Sequence, residues 1–343
     1  VFSSLQKCAA ALAALLASGA APPSQAATVT LFKTNVYHQL YGLTSDNTAL
    51  YVSGTTAGFR DFSGMYNDGV IGRLNFSGVH TVTTLYSASK NYPTSSGHIS
   101  PFQLVRTGST GLLWADPDAG PGTGASFAAG TVTGGAVSQI FGTCCGPGVL
   151  PGDGIGVAVV GSNTYFSDST GGRIGVLAGG STTQIGPTRY TPDFPTESWA
   201  QITVVNGVIY MADSGEYRGT DTSGNAVIYD VSASLKPGVR WIGTATNSVF
   251  HDLSVRKIPR PAGIVCVGSA LYVTSGNTIW KVAIATGSTS VWATDPRFKD
   301  LQGITFHAGA FYVADDQNVF GPFVSGIATS TTSGPGVIWK VTP

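Results

Sequence analysis

The chain has 343 residues, with 18 basic and 18 acidic side chains, a formal net charge of zero, and 46 glycines, about twice the usual glycine share. So few charges and so much glycine exclude a coiled coil, a long-helix bundle and a charge-driven disordered chain. Nothing here neutralises a row of phosphates, so no nucleic-acid partner is expected, while 42% hydrophobic residues can fill a large core.

The N-terminus comes first in chain order. Val1 to Lys7 carries one positive charge, Cys8 to Ala17 is an apolar run, and Ser18 to Ala26 is small and Pro-containing. That order is the layout of a secretory signal peptide cleaved near Ala26. The apolar run is too short for the ~30 Å of a bilayer core, so no membrane span is expected in the mature protein. Cys8 opens the run instead of closing it, which speaks against a lipoprotein signal. The expected division is a signal at 1–26 and one domain at 27–343, exported to the periplasm or the extracellular space as a monomer.

From there the chain repeats itself. A small residue and a short apolar strand lead, nine residues on, to a second strand centred on an aromatic: Gly42 to Tyr51, Val105 to Trp114, Gly156 to Tyr165, Gln201 to Tyr210, Gly263 to Tyr272 and Gly303 to Tyr312. Each copy continues into a third alternating strand, at Val70 to Leu74, Gly130 to Val132, Arg173 to Leu177, Val227 to Val231, Thr278 to Val282 and Val337 to Val341. A fourth follows in most copies, as at Thr81 to Leu85, Val137 to Ile140 and Ser290 to Ala293. Period-two alternation and Gly, Asn and Ser punctuation mark short antiparallel strands. Six copies of four strands, spaced about 52 residues apart, predict an all-β fold, a six-bladed β-propeller of four-stranded antiparallel blades. The sixth copy ends after its third strand, and Val29 to Phe32 has no blade of its own. The N-terminal strand is therefore expected to close the last blade and cover its edge.

Pro261-Ala262-Gly263-Ile264 with Leu271-Tyr272-Val273-Thr274 and Thr278-Ile279-Trp280-Lys281-Val282 resembles an NHL-type repeat. So does Gln302-Gly303-Ile304 with Phe311-Tyr312-Val313-Ala314-Asp315 and Gly336-Val337-Ile338-Trp339-Lys340-Val341. The resemblance implies the six-bladed superfamily of NHL modules, gluconolactonase-like (calcium-dependent phosphotriesterase-like) lactonases, strictosidine-synthase-like enzymes and streptogramin lyases. It speaks to fold and is almost silent on chemistry. The gluconolactonase type carries a Glu calcium ligand directly before the first blade's glycine, where this chain has Leu40-Tyr41-Gly42.

Connections from second to third strand and from blade to blade share one face, the default ligand face. There the segments from Gly54 to Gly69, Pro117 to Gly130, Ser214 to Gly224 and Gln317 to Gly336 read as long loops, against minimal turns such as Asn206-Gly207 opposite. The loops carry Phe59, Phe62, Tyr66, Tyr217, Phe320 and Phe323, either an apolar or sugar-stacking wall or packing for the loops themselves. Inter-blade loops add His98, Asp153, Glu197, Trp199, His251, Arg260 and Asp300, with His38 before the first blade. Asp153, Glu197 and Asp300 precede the repeat's small residue by three or four positions. Converging on one rim, they would suit Ca²⁺ or another divalent metal, or general-base work; singly, each reads as a surface acid.

Glu197, His251 and His98 are the catalytic candidates, although the histidine spacing matches no compact metal signature. His38, Trp199, Arg260, Asp300, Phe62, Tyr66 and Phe320 are the ligand-binding candidates. Asp116, Asp168, Asp213 and Asp315, after the second strand's aromatic, read as structural acceptors for backbone N–H groups. Adjacent Cys144 and Cys145 suggest a vicinal disulfide in an oxidising compartment, and Cys266 a buried free thiol. Two functions follow. One is a propeller that binds a small molecule, glycan or protein segment at the looped face, and the other is a metal-assisted hydrolase or lyase using the same face.

Overall fold

The computed structural model describes residues 27–56, 69–87, 101–116, 127–141, 154–168, 173–184, 200–213, 216–220, 226–230, 238–244, 247–251, 258, 261–317, 319–320, 327–332 and 334–343. These residues form 28 strands and no helix. After β1 (Thr28–Lys33), blade 1 is β2 (Gln39–Ser45), β3 (Ala49–Thr55), β4 (Gly69–Asn75) and β5 (Val82–Ser87). Blade 2 is β6 (Leu104–Thr107), β7 (Gly111–Ala115), β8 (Phe127–Thr131) and β9 (Ser138–Phe141), and blade 3 is β10 (Gly154–Val160), β11 (Asn163–Asp168), β12 (Arg173–Ala178) and β13 (Ser181–Gln184).

Blade 4 begins with β14 (Ala200–Val205) and β15 (Val208–Asp213). The chain then leaves it for β16 (Glu216–Thr220) and β17 (Ala226–Asp230), and returns as β18 (Gly238–Thr244) and β19 (Asn247–His251). Blade 5 is β20 (Pro261–Val267), β21 (Ala270–Ser275), β22 (Thr278–Ala283) and β23 (Thr289–Thr294). Blade 6 opens with β24 (Leu301–His307) and β25 (Ala310–Asp315), departs through β26 (Val319–Phe320) and β27 (Ile327–Thr332), and resumes with β28 (Val337–Thr342). Its fourth strand is β1, paired antiparallel to β28 from Thr28 opposite Thr342 to Lys33 opposite Ile338.

The first strands β2, β6, β10, β14, β20 and β24 touch in that order, and β24 touches β2, so they form a closed ring. Between each neighbouring pair of blades lies one apolar layer. Tyr51, Ile71, Leu104 and Trp114 fill the layer between blades 1 and 2, while Leu50, Val52, Tyr312 and Ile338 fill that between blades 6 and 1. Four further layers complete the circuit. Alternating side chains send one set to each neighbour, so every blade is covered on both faces and charge is left for turns and rims. The expected all-β propeller with its N-terminal closing strand is thus observed.

Where the first strands approach one another, backbone meets backbone. A Cβ on Gly263 would lie 2.3 Å from the Gln302 carbonyl oxygen, and one on Gly303 would lie 2.6 Å from that of Tyr41. Only glycine permits that approach. The turn from β14 to β15 has Asn206 at φ 52° and Gly207 at φ 80°, the left-handed pair of a two-residue hairpin.

Two expectations need correction. Val227 to Val231 is not the third strand of blade 4: β15 pairs with β18, Ala212 opposite Val239, and most of that segment belongs to β17. Both stretches alternate in the strand manner, and local pattern does not choose between them. Second, the segments taken as loops after β15 and β25 are hairpins. β17 pairs with β27, Val227 opposite Thr329, giving a seventh four-stranded sheet in the order β16-β17-β27-β26.

Candidate functional site

Strand register defines the face. Gln39 lies opposite Thr55, Gly154 opposite Asp168, Ala200 opposite Asp213 and Leu301 opposite Asp315. First strands therefore begin where second strands end, and blade-to-blade and second-to-third connections leave on one side of the ring. Both inserted hairpins spring from that side, and the seventh sheet links blade 4 to blade 6 there.

On the axis at this face the side chains are glutamines. Gln103, at the start of blade 2, accepts on its Oε1 from Val157 N (3.0 Å) and Ile202 N (2.9 Å), and donates from Nε2 to the Ile202 carbonyl (2.7 Å). Gln201 of blade 4 donates across the ring to the carbonyl of Tyr41 in blade 1, at 3.0 Å. The Tyr41 hydroxyl in turn donates to Gln39 Oε1 at 2.5 Å. These contacts join blade 2 to blades 3 and 4 and blade 4 to blade 1 opposite, so amide groups bridge the channel at this level. Gln39 Nε2 and Gln302 Nε2 are buried there without a hydrogen-bond partner among the described residues.

A second set of polar groups ties first strands to their neighbours. Ser53 accepts from Gly42 N and donates to the Phe102 carbonyl at 2.5 Å, and Thr274 accepts from Gly263 N and donates to the Gln302 carbonyl at 2.5 Å. Ser167 accepts from Gly156 N in the same way.

Two of the described acids on this face, Asp315 and Asp116, are engaged by the fold. Asp315 accepts from the backbone N–H groups of Lys299, Asp300 and Gln317 and from the Trp339 indole at 2.9 Å. Burial pushes its carboxyl up from the ordinary 3.8, against the pull of those four donors. Asp116 accepts from the Trp114 indole at 3.0 Å. The expected acceptance of backbone N–H groups is observed at Asp315, while the partner seen at Asp116 is the indole.

Among the predicted site residues, Asp300 is buried just before β24, its N–H bonded to Asp315 and its carbonyl to Asp316 N. His38 is exposed, with its N–H on the Thr55 carbonyl at 2.9 Å. His251 is not in an inter-blade loop: it ends β19, the outermost strand of blade 4, opposite Trp241, three strands from the axis. Phe320 lies in β26 instead of a loop, because the segment after β25 pairs as a hairpin. Cys266 is half-buried, its Sγ directed to the Gly268 carbonyl, and more open than the buried thiol expected. Phe62, Tyr66, His98, Cys144, Cys145, Asp153, Glu197, Trp199 and Arg260 lie outside the described residues.

Of the three acids suggested for a divalent ion, the structure describes Asp300. Among the described residues no three His, Cys, Asp or Glu side chains come together as a metal site. At the position of the lactonase glutamate, Tyr41 is buried with its hydroxyl on Gln39. The described residues do not fit a calcium site of that design. Sequence reasoning missed the glutamines, although Gln39, Gln103, Gln201 and Gln302 all stand at first-strand starts.

No protein-family model matches the chain, and no curated protein matches it. Solved structures do. A structural-genomics protein of unknown function from Bacteroides thetaiotaomicron VPI-5482 aligns over 92% of this chain and 76% of its own, at 13% identity and a TM-score of 0.54. A luciferin-regenerating enzyme aligns over 92% of this chain and 95% of its own, at 13% identity and a TM-score of 0.52. A putative gluconolactonase aligns over 92% of both chains, at 12% identity and a TM-score of 0.52. No described helix is long and apolar enough to cross a membrane. At these identities the likeness is one of architecture, and the chain has a β-propeller fold.

Proposed function

We propose that the chain is an exported six-bladed propeller that binds a small molecule, glycan or protein segment at its looped face. The observation that carries this reading is the pairing of β17 with β27, which builds a sheet from two inserted hairpins on one side of the ring. Turns on the other side stay minimal, as at Asn206-Gly207. The glutamine bridges floor that face, so a ligand would rest at the mouth of the channel instead of passing through it. The Nε2 groups of Gln39 and Gln302, buried and without an acceptor among the described residues, supply donors for carbonyl or hydroxyl oxygens. Asp315 and Asp116 are occupied by the fold, so neither is offered as an acid–base group.

The test is a thermal-shift screen of the mature chain against sugars and small polar metabolites, with Phe62→Ala and Tyr66→Ala as loop variants, alongside metal analysis of the wild type. Ligand-dependent stabilisation that the loop variants lose supports the reading. A stoichiometric divalent metal that is lost in Glu197→Gln and Asp300→Asn would overturn it in favour of metal-assisted hydrolysis.

A further inference from the structure

The face opposite the loops carries a charge cluster in the crevice between blades 1 and 2. Tyr51 and Arg73 are direct partners across β3 and β4, so their side chains stand on the same side of blade 1. Tyr51 belongs to the apolar layer shared with blade 2. From blade 2, Arg106 places its guanidinium 5.5 Å from the Tyr51 ring centroid, held there by Nη1 on the Gly111 carbonyl and Nη2 on the Ser109 carbonyl, at 2.5 and 2.6 Å.

The neighbouring carboxylate is Asp46, 3.8 Å from Arg106 Nη2. Its oxygens are already taken: Oδ1 accepts from Thr48 N, Thr48 Oγ1 and Ala49 N, and Oδ2 from the Tyr51 hydroxyl at 2.7 Å. Two arginines thus flank Tyr51, and the one carboxylate beside them is already engaged. Among the described residues, Arg73 Nε and Arg106 Nε are buried without an acceptor, and Arg73 makes no hydrogen bond or ion pair. In a chain this poor in charge, an uncompensated cation in a crevice is costly unless something answers it. The guanidinium fork matches the paired oxygens of carboxylate and phosphate groups.

We propose that this crevice binds a small oxyanion, a phosphate or carboxylate group, with Arg73 as its principal donor and Arg106, seated over Tyr51, as the second charge. The proposal is independent of the looped face and of what binds there.

The test follows thermal unfolding of the full chain titrated with inorganic phosphate, and separately with acetate, against sodium chloride at matched ionic strength. A saturable stabilisation beyond chloride is expected, from phosphate if the site takes tetrahedral anions and from acetate if it takes carboxylates. Arg73→Gln should weaken the apparent dissociation constant about tenfold or more, the loss of a charge-assisted hydrogen bond. Asp46→Asn removes the like charge while its amide oxygen still accepts the turn N–H groups, and should tighten binding about threefold. A response no different from chloride, or Arg73→Gln binding like wild type, overturns the proposal. Should Arg73→Gln not fold, failure of Asp46→Asn to tighten binding overturns it instead.

Discussion

Asp315 and Asp46 sit on opposite faces of the ring, and each accepts hydrogen bonds from four donors. Their carboxyls nevertheless move in opposite directions. Asp315 is fully buried between first and second strands, and burial pushes it up. Asp46 also feels burial, but its side chain keeps 24% of its exposure. The Tyr51 hydroxyl, the Thr48 and Ala49 N–H groups and the Thr48 hydroxyl together hold it at about 2. The same pair raises Tyr51, where burial comes first and the Asp46 bond and charge add to it, to about 12. Donor number does not decide a carboxylate's state; the water left to it does. The looped face has placed its acid where the fold needs an acceptor, and the other face has kept its acid as a charge.

That contrast is open to measurement. Asp315→Ala strands three backbone N–H groups and the Trp339 indole, and should cost about 3–5 kcal/mol in urea unfolding. Asp315→Asn, which keeps one acceptor oxygen, should recover part of the loss. Gln103→Ala removes three bonds from blade 2 to blades 3 and 4 and should cost about 2–3 kcal/mol with the urea m-value unchanged; a change in m would mean that the ring opens instead of weakening. Thr274→Val breaks one latch between blades 5 and 6 and should cost about 1–2 kcal/mol.

The smallest effect is expected at Asp46. Asp46→Asn should cost less than about 1 kcal/mol at neutral pH and act mainly on the acid limb of the stability profile. A carboxyl held below its ordinary 3.8 adds stability above that value and loses it as pH falls toward about 2, so the variant's profile should be flatter there. Asp315, raised, runs the other way: its contribution is full below 3.8 and declines as pH rises through the folded-state value. If Asp46→Asn proves costlier at neutral pH than Asp315→Ala, burial is not what separates the two acids.

Much of the ring was legible in the sequence because each blade repeats a local pattern. The nine-residue offset from Gly263 to Tyr272 or Gly303 to Tyr312 is the arc of one hairpin, and β1 was legible by elimination, as a strand without a blade. The path after β15 was not, since Ala226–Asp230 and Gly238–Thr244 both alternate, and which one joins blade 4 depends on a partner, β27, about a hundred residues away. The candidate site was less legible still. Attention went to acids and histidines because their chemistry is recognisable, whereas Gln103 and Gln201 matter through reach, which a sequence does not display. Asp315 was readable as structural because its place after the aromatic recurs at Asp116.

The strand that closes blade 6 precedes every other described strand in the chain and pairs with the last of them. Thr30 bonds to Lys340 across 310 positions of sequence, and the Arg297 guanidinium donates to the Val29 carbonyl at 2.9 Å. Until the C-terminal strand exists, β1 has no partner, and β28 in turn presents an open edge until β1 arrives. The entropy of closing so long a loop grows only logarithmically and is modest. The time spent waiting is not, because the contact order of this one pairing spans nearly the whole chain. A circular permutant that joins the present ends and opens between two other blades would make β1 and β28 sequence neighbours. It would keep the same ring and move the long wait to another seam.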